Sequence, residues 1–327
     1  MRILLWHVHG GWTDAFVRGD HEYLLPATSD AGPWGRGRAG RDWPSNVVDI
    51  APEALSDADV DCVVLQRPEE LIACERLLHR RPGREIPAVY VEHNTPRADV
   101  PNSIHLLADQ SAITLVHVTH FNSQFWDSGR ATVRVIEHGV VDPGALYTGE
   151  LRCQAAVINE PVRRGRVTGS DLLPAFTAAG PVDVFGMAGD HLAAALGHPA
   201  GLRHVGDLPT GALHREMARR RLYLHPLRWT SLGLSLIEAM HLGMPVIVLA
   251  ATEAPRAVPP DAGAISTDIG ALVSAAARLL ADPDEARRRG TVAREAALHR
   301  YGLHTFLARW DEILDEARAK SSERTIR

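Results

Sequence analysis

The sequence predicts an α/β protein of two domains built on parallel sheets, and three observations predict it. Residues 230–247 read as a short helix, a stop and a strand. Leu234, Ile237 and Met240 recur on one helical face, and Gly243 and Pro245 end the helix. Val246-Ile247-Val248-Leu249 is then the unbroken apolar run of a strand buried on both faces. Further runs of this kind alternate with helical patterns along the chain. A length of 327 residues exceeds one ordinary domain.

Taken in order, residues 3–8 form a first strand, followed by His9-Gly10-Gly11-Trp12 and a helix from Thr13. The glycine pair lets a ligand approach the backbone at the end of that strand. His7 and His9, two apart, would share a strand face, but no acidic or thiol ligand accompanies them. Gly35-Arg36-Gly37-Arg38-Ala39-Gly40 spells a dinucleotide fingerprint, yet it follows a Pro/Gly/Asp-rich loop instead of a strand, and Trp43-Pro44 stops any helix. It reads as a mobile basic loop. Asp57, Asp59 and Asp61 lead into a strand at 62–65 instead of leaving one, so they are no metal signature. A helix near 68–79 and a strand at 87–91 come next. That strand runs into Glu92-His93-Asn94-Thr95-Pro96, polar residues at the carboxyl end where parallel sheets hold ligands. Strands at 113–118 and 133–136 follow, the latter running into Glu137-His138-Gly139, with His138 read as interdomain.

The second half opens with a strand at 155–158 and an arginine turn, Arg163-Arg164-Gly165-Arg166. Three arginines in four residues repel one another unless an anion or a carboxylate lies among them. Strands at 182–186, 204–206 and 221–226 lead to the central stretch. Thr230 and Ser231 are expected to cap its helix. A short strand at 264–267, a helix at 269–280 capped by Asp268, and helices at 283–299 and 301–319 complete the chain, with 321–327 disordered.

Composition removes several chemistries. The only lysine is Lys320, in a charged tail, so neither a Schiff base nor a Walker-type phosphate lysine is available. Any phosphate clamp must use arginine, whose fork suits it. Cys62, Cys74 and Cys153 form no Cys-x-x-Cys pair, hence no zinc site or disulfide scaffold is expected. A net charge of -5 argues against nucleic acid or an anionic membrane as partner. No apolar span approaches 18 residues, and residues 1–6 are too short for a signal core, so a cytoplasmic location is expected.

Glu238 is out of place on a helix this apolar and needs a partner. The helix start ahead of it offers amides and a dipole to an anion. With these features, the string resembles the hallmark of the large retaining (group 1) family of nucleotide-sugar-dependent glycosyltransferases of the GT-B fold. The family pattern is a Glu, seven residues including Phe-Gly, then Glu-Ala-Met, a Gly and Pro-Val-Ile. Glu238-Ala239-Met240, Gly243 and Pro245-Val246-Ile247 stand where it wants them. Leu232-Gly233 replaces Phe-Gly, and Thr230 takes the place of the first glutamate.

The resemblance implies two Rossmann-like domains facing each other across a cleft. They would be an acceptor-side domain at 1–150, a donor domain at 151–302, and a crossover helix and tail at 303–327 that return to the first. It implies a nucleoside diphosphate sugar as donor and a small-molecule or glycan acceptor, with retention of configuration and no cofactor or metal. By this reading Arg163, with Arg164 or Arg166, and the helix start at Thr230, Ser231, Leu232 and Gly233 hold the diphosphate. Aligning Thr168-Gly169 with the family's Lys-Gly leaves no lysine there. Glu238 accepts ribose hydroxyl hydrogens, while Gly10, Gly11 and His93 face the sugar and acceptor. His93 and Glu238 are the catalytic candidates. The absent first glutamate and lysine support an alternative, a non-catalytic sugar-nucleotide binder that kept the fold.

Overall fold

The computed structural model describes residues 1–325, which divide into two compact units: residues 1–141 together with the segment from Leu303, and residues 142–302. The division falls nine residues ahead of the expected boundary at 150. The reason is that the intervening segment is bonded to the second unit: Tyr147 N donates to Leu242 O, Thr148 N to Ala218 O, and Asp142 pairs with Arg294 at 2.8 Å.

The first unit holds β1 (Arg2–Leu5), α1 (Gly10–Phe16), β2 (Glu22–Pro26), β3 (Val47–Ile50), β4 (Cys62–Leu65), α2 (Glu69–Leu78), β5 (Ala88–Glu92), β6 (Thr114–His117), α3 (His120–Phe125) and β7 (Val133–Val135). Its seven strands form one parallel sheet in the order β3-β2-β1-β4-β5-β6-β7 among the described residues. Strands β2 and β3 carry no clear sequence signal. Each is short, and β3 is an edge strand with Val48 and Asp49 exposed, so neither alternation nor an apolar run marks it. β1 ends at Leu5 and α1 begins at Gly10, earlier than the Thr13 expected. Two glycines in a helix cost about 1 kcal/mol each. Burial of Trp12 and Phe16, about 2–3 kcal/mol apiece, outweighs that.

The second unit holds β8 (Leu151–Val157), α4 (Pro161–Thr168), α5 (Leu173–Phe176), β9 (Val182–Phe185), α6 (Leu192–Ala195), β10 (Leu202–Gly206), α7 (Thr210–Arg219), β11 (Arg220–His225), α8 (Leu234–Leu242), β12 (Val246–Leu249), α9 (Ala254–Ala257), β13 (Gly263–Ser266), α10 (Ile269–Ala281) and α11 (Pro283–Tyr301). Its sheet is also parallel, ordered β10-β9-β8-β11-β12-β13. Asp268 caps α10 through the Ala271 amide, as its type and position predict. Gly243 ends α8 with φ 87°, a left-handed conformation that glycine adopts without strain. The start of α8 differs from expectation: its N-cap is Gly233, two residues beyond Ser231, and no side chain caps it.

α12 (Leu303–Thr325) belongs to the first unit, where Phe306, Trp310, Ile313 and Leu314 join Trp12, Phe16 and Tyr23 in one buried cluster. Trp310 lies edge-on to Trp12 at 5.6 Å and to Phe16 at 5.0 Å. The helix runs through 321–325, where disorder was expected; 326–327 lie outside the described residues. No helix of the described residues is long and apolar enough to cross a membrane.

Gly290, inside α11, tests how tightly α11 meets the end of α8. Alanine in a helix interior ordinarily gains about 1 kcal/mol over glycine. A β-carbon here would lie 2.0 Å from the Gly243 carbonyl oxygen, which is backbone and cannot swing aside. Gly290→Ala is therefore expected to lower the urea midpoint. Gly211→Ala in α7, where the nearest atom is a flexible Arg215 nitrogen at 3.6 Å, should leave it unchanged or raise it. A Gly290→Ala variant at least as stable as the parent would contradict the packing described.

Candidate functional site

In both sheets the carboxyl ends of the strands gather the polar residues singled out by sequence, and each unit is built separately. In the second, Val167 near the end of α4 accepts the amides of Arg228 (3.0 Å) and Trp229 (3.1 Å). Arg228 Nη1 also donates to the Arg166 carbonyl at 3.1 Å. A β-carbon on Gly169 would lie 1.9 Å from Pro226 O, so this approach requires glycine, here at φ 69°. The arginine turn and the loop leading into α8 are thereby held as one piece.

Within that piece, Glu160 takes Arg163 in a two-pronged ion pair, with Nε to Oε1 at 2.7 Å and Nη2 to Oε2 shorter still. Arg166 pairs with Asp171 at 3.2 Å, and Asp171 also takes Arg228. These carboxylates supply the neutralisation that the crowded arginines demanded, so repulsion by itself no longer calls for a ligand. Arg163 and Arg166 remain mostly exposed. Exposed pairs of this kind are worth less than about 1 kcal/mol, so a competing anion can open them. Arg164 lies on the same short helix, its amide bonded to Glu160 O.

Thr230 is half-buried, Ser231 and Leu232 are buried, and Gly233 begins α8. A β-carbon on Gly233 would lie 2.7 Å from His225 Cε1, so this glycine is explained by packing over a histidine. His225, at the end of β11, is buried, and burial pushes its pKa down to about 3. The Tyr223 hydroxyl donates to Ser235 Oγ at 2.8 Å and ties β11 to the first turn of α8. Glu238 sits one turn further on, with its side chain 19% exposed and its Oε2 3.6 Å from Nε2 of His214 on α7. The nearest basic group is therefore a histidine that lies beyond hydrogen-bond distance, and the carboxylate keeps open hydrogen-bonding capacity.

In the first unit, His93 follows β5 and is buried. Its ring lies 4.0 Å from that of His9 and 5.2 Å from Trp12. Gln66, just after β4, gives its Nε2 hydrogens to the Trp6 carbonyl at 2.9 Å, which can only accept. Gln66 Oε1 therefore faces His93 Nε2 at 3.1 Å, and the proton of His93 sits on Nε2. The proton of His93 is thus given to Gln66. Burial, with His9 and His138 nearby, holds its pKa well below the ordinary 6.5. His138 and His9 are each lowered to about 4, by burial first; His9 adds to the lowering of His138, while at His9 Glu92 opposes it and Arg67 adds to it.

His138 joins these imidazoles of the first unit. Its neighbour Gly139 packs directly beneath Phe306 of α12. Gly10 and Gly11 open α1 beside His9. Gln66 and His138 share the signal that found His93, a polar residue immediately past a strand end. His7 and His9 do not face alike: the His7 ring packs on Trp43, the His9 ring on His93. The 35–40 loop is held in place, since His7 Nδ1 donates to Gly37 O at 2.9 Å and Arg38 donates to Val47 O at 2.9 Å.

Residues 188–296 match the family model for glycosyl transferases group 1. Solved structures match nearly the whole chain. A sucrose-phosphate synthase from Thermosynechococcus elongatus is 14% identical over 98% of this chain and 99% of its own, with a TM-score of 0.72. Anabaena HepE in complex with UDP is 15% identical over 97% and 100%, with a TM-score of 0.72. A glycosyltransferase from Rickettsia africae is 14% identical over 97% of each chain, with a TM-score of 0.65. At such identities the likeness establishes the fold, two Rossmann-like α/β units of GT-B type. No curated protein matches the chain by sequence.

The neutral imidazoles make stability depend on acid. Their folded pKa values lie below the unfolded value of about 6.5, so the unfolded chain binds more protons between pH 6.5 and 4. Stability is complete above pH 6.5 and falls as pH drops through that window, by about 1.4 kcal/mol per pH unit per proton. His138→Gln should flatten the fall by one proton's slope in urea titrations from pH 7 to 4.5. An unchanged slope would show that His138 is free to protonate in the folded protein.

Proposed function

We propose that this chain, of GT-B fold and with residues 188–296 matching the group 1 family, is a group 1 glycosyltransferase that moves a sugar from a nucleoside diphosphate sugar to a hydroxyl-bearing acceptor. The observation that carries the proposal is in the second unit: a partly open carboxylate, Glu238, on the helix whose entry loop is bonded to the arginine turn. Uridine diphosphate is the first nucleotide to test, because HepE is seen with UDP and with UDP-glucose.

In the reaction the bond between the anomeric carbon and the diphosphate oxygen breaks, and a bond from that carbon to the acceptor oxygen forms. The diphosphate leaves with added charge, and the proton lost by the acceptor hydroxyl passes to its departing oxygen. Arg163, Arg164 and Arg166, together with the backbone from Thr230 to Gly233, would take up that charge. This is electrostatic stabilisation by preorganised donors, and it gives the arginines the task a metal performs elsewhere. To reach the phosphates Arg163 must leave Glu160, an exchange of one exposed pair for a stronger bidentate contact. Glu238 would accept the ribose hydroxyl hydrogens. His93, neutral and accepting through Nδ1, would orient a hydroxyl of the sugar or acceptor. Retention of configuration and independence of metal belong to the same proposal.

Glu238→Ala should weaken UDP binding by about tenfold to a hundredfold, the loss of hydrogen bonds to a charged group worth about 1.5–3 kcal/mol. Affinity for 2′,3′-dideoxy-UDP, which has no ribose hydroxyls, should not change. Calorimetric titration checks both, and equal losses for the two ligands would remove the ribose role. Release of UDP from a panel of UDP-sugars then separates a transferase from a binder: tight binding with no turnover on any donor and acceptor mixture would favour the non-catalytic reading.

A further inference from the structure

The first unit carries a second group of basic residues that the donor reading does not use. His7 is buried at the end of β1, and its Nδ1 must carry the proton, because the Gly37 carbonyl it meets at 2.9 Å can only accept. Its Nε2 is buried and has no hydrogen-bond partner among the described residues. A buried acceptor left unpaired costs about 1–3 kcal/mol, which is an invitation to a ligand that donates.

Arg41 bears directly on the same spot, and Arg36 is near enough for its charge to reach the His7 ring. A single point, the β-carbon position of Gly10, lies 2.5 Å from Arg41 Nη2 and 3.6 Å from His7 Nε2. The charges of Arg41 and Arg36 both act on the His7 ring. Both arginines are exposed and neither has an ion pair among the described residues; Arg41 only leans over Trp43 at 5.8 Å. The loop's third arginine, Arg38, is consumed by the carbonyls of Trp43, Pro44 and Val47. Asp49, the carboxylate that acts on His7, accepts the Arg38 amide at 2.8 Å. In the second unit several arginines are matched: Arg163 by Glu160, Arg166 and Arg228 by Asp171, Arg203 and Arg220 by Asp183. The unmatched pair therefore stands beside Gly10 and an acceptor nitrogen without a donor.

We propose that the acceptor of this enzyme carries an oxyanion, phosphate or carboxylate, next to a hydroxyl. Arg36 and Arg41 hold the oxyanion, and His7 Nε2 accepts the hydroxyl hydrogen. Gly10, whose β-carbon would fall 2.5 Å from Arg41 Nη2, lets that guanidinium come close to His7. The assignment rests on the transferase reading for the word acceptor, and on the first unit alone for its chemistry.

Inorganic phosphate, which carries both an oxyanion and a hydroxyl at neutral pH, is the probe. The intact protein is treated with phenylglyoxal, which modifies free arginines, in phosphate or in chloride of equal ionic strength, and the rate at each arginine is read by peptide mass spectrometry. Phosphate is expected to slow modification of Arg36 and Arg41 by about tenfold, the effect of one good charge-assisted contact. The exposed Arg84 should be unaffected. UDP should protect Arg163 and leave Arg36 and Arg41 reactive. Equal rates at Arg36 and Arg41 in the two salts, or slowing shared by Arg84, would overturn the assignment. Failure of UDP to protect Arg163 would count against the donor site alone.

Discussion

The carbonyl of Val167 accepts two consecutive amides, and the candidate donor site depends on that junction. Without it the arginine turn after β8 and the loop after β11 would be two separate surface features. With it, Arg163, Arg164 and Arg166 share one frame with the residues that open α8 and, through Tyr223 and Ser235, with Glu238. The close approach of Gly169 to Pro226 is the steric condition for the junction, since any β-carbon there would collide with the Pro226 carbonyl. One backbone acceptor thus converts strand-end loops from different parts of the sequence into a single arginine-bearing surface.

The site in the first unit follows a different rule, in which neutral rings are kept neutral. His9, His93 and His138 sit where water is scarce; His9 lowers the tendency of the other two to protonate, and His138 adds to it at His93. Gln66 adds direction: by giving its amide hydrogens to Trp6 it fixes which nitrogen of His93 bears a proton. The result is a set of acceptors suited to hydroxyl groups, beside a pair of arginines suited to charge.

Much of this was legible in the sequence, for physical reasons that also explain the gaps. Gly243, Pro245 and the run from Val246 announce a helix end and a buried strand because chain conformation and burial leave little alternative. His93 is visible because parallel strands expose polar side chains only at their ends. Glu238 was placed on an apolar helix correctly, but the histidine nearest to it, His214, lies on α7, for which no signal was read. The N-cap at Gly233 was missed because Thr230 and Ser231 have the right chemistry and the wrong position: the loop must first pass over His225. Gln66 and His138 carry the same strand-end mark as His93, but only three-dimensional neighbours reveal what each does. The carboxylates that quiet the arginine turn, Glu160 and Asp171, lie within a few residues of it and show that a crowded basic stretch can be balanced locally.

The first unit is discontinuous: its aromatic core closes only when Phe306, Trp310 and Leu314 arrive from a helix that follows the whole second unit. A nascent chain leaving the ribosome exposes Trp12, Phe16 and Tyr23 while more than 160 further residues are being made. The half that is synthesised first must therefore mature last, shielded meanwhile by chaperones or by its own partial collapse, and truncation before residue 303 would strand it without a lid.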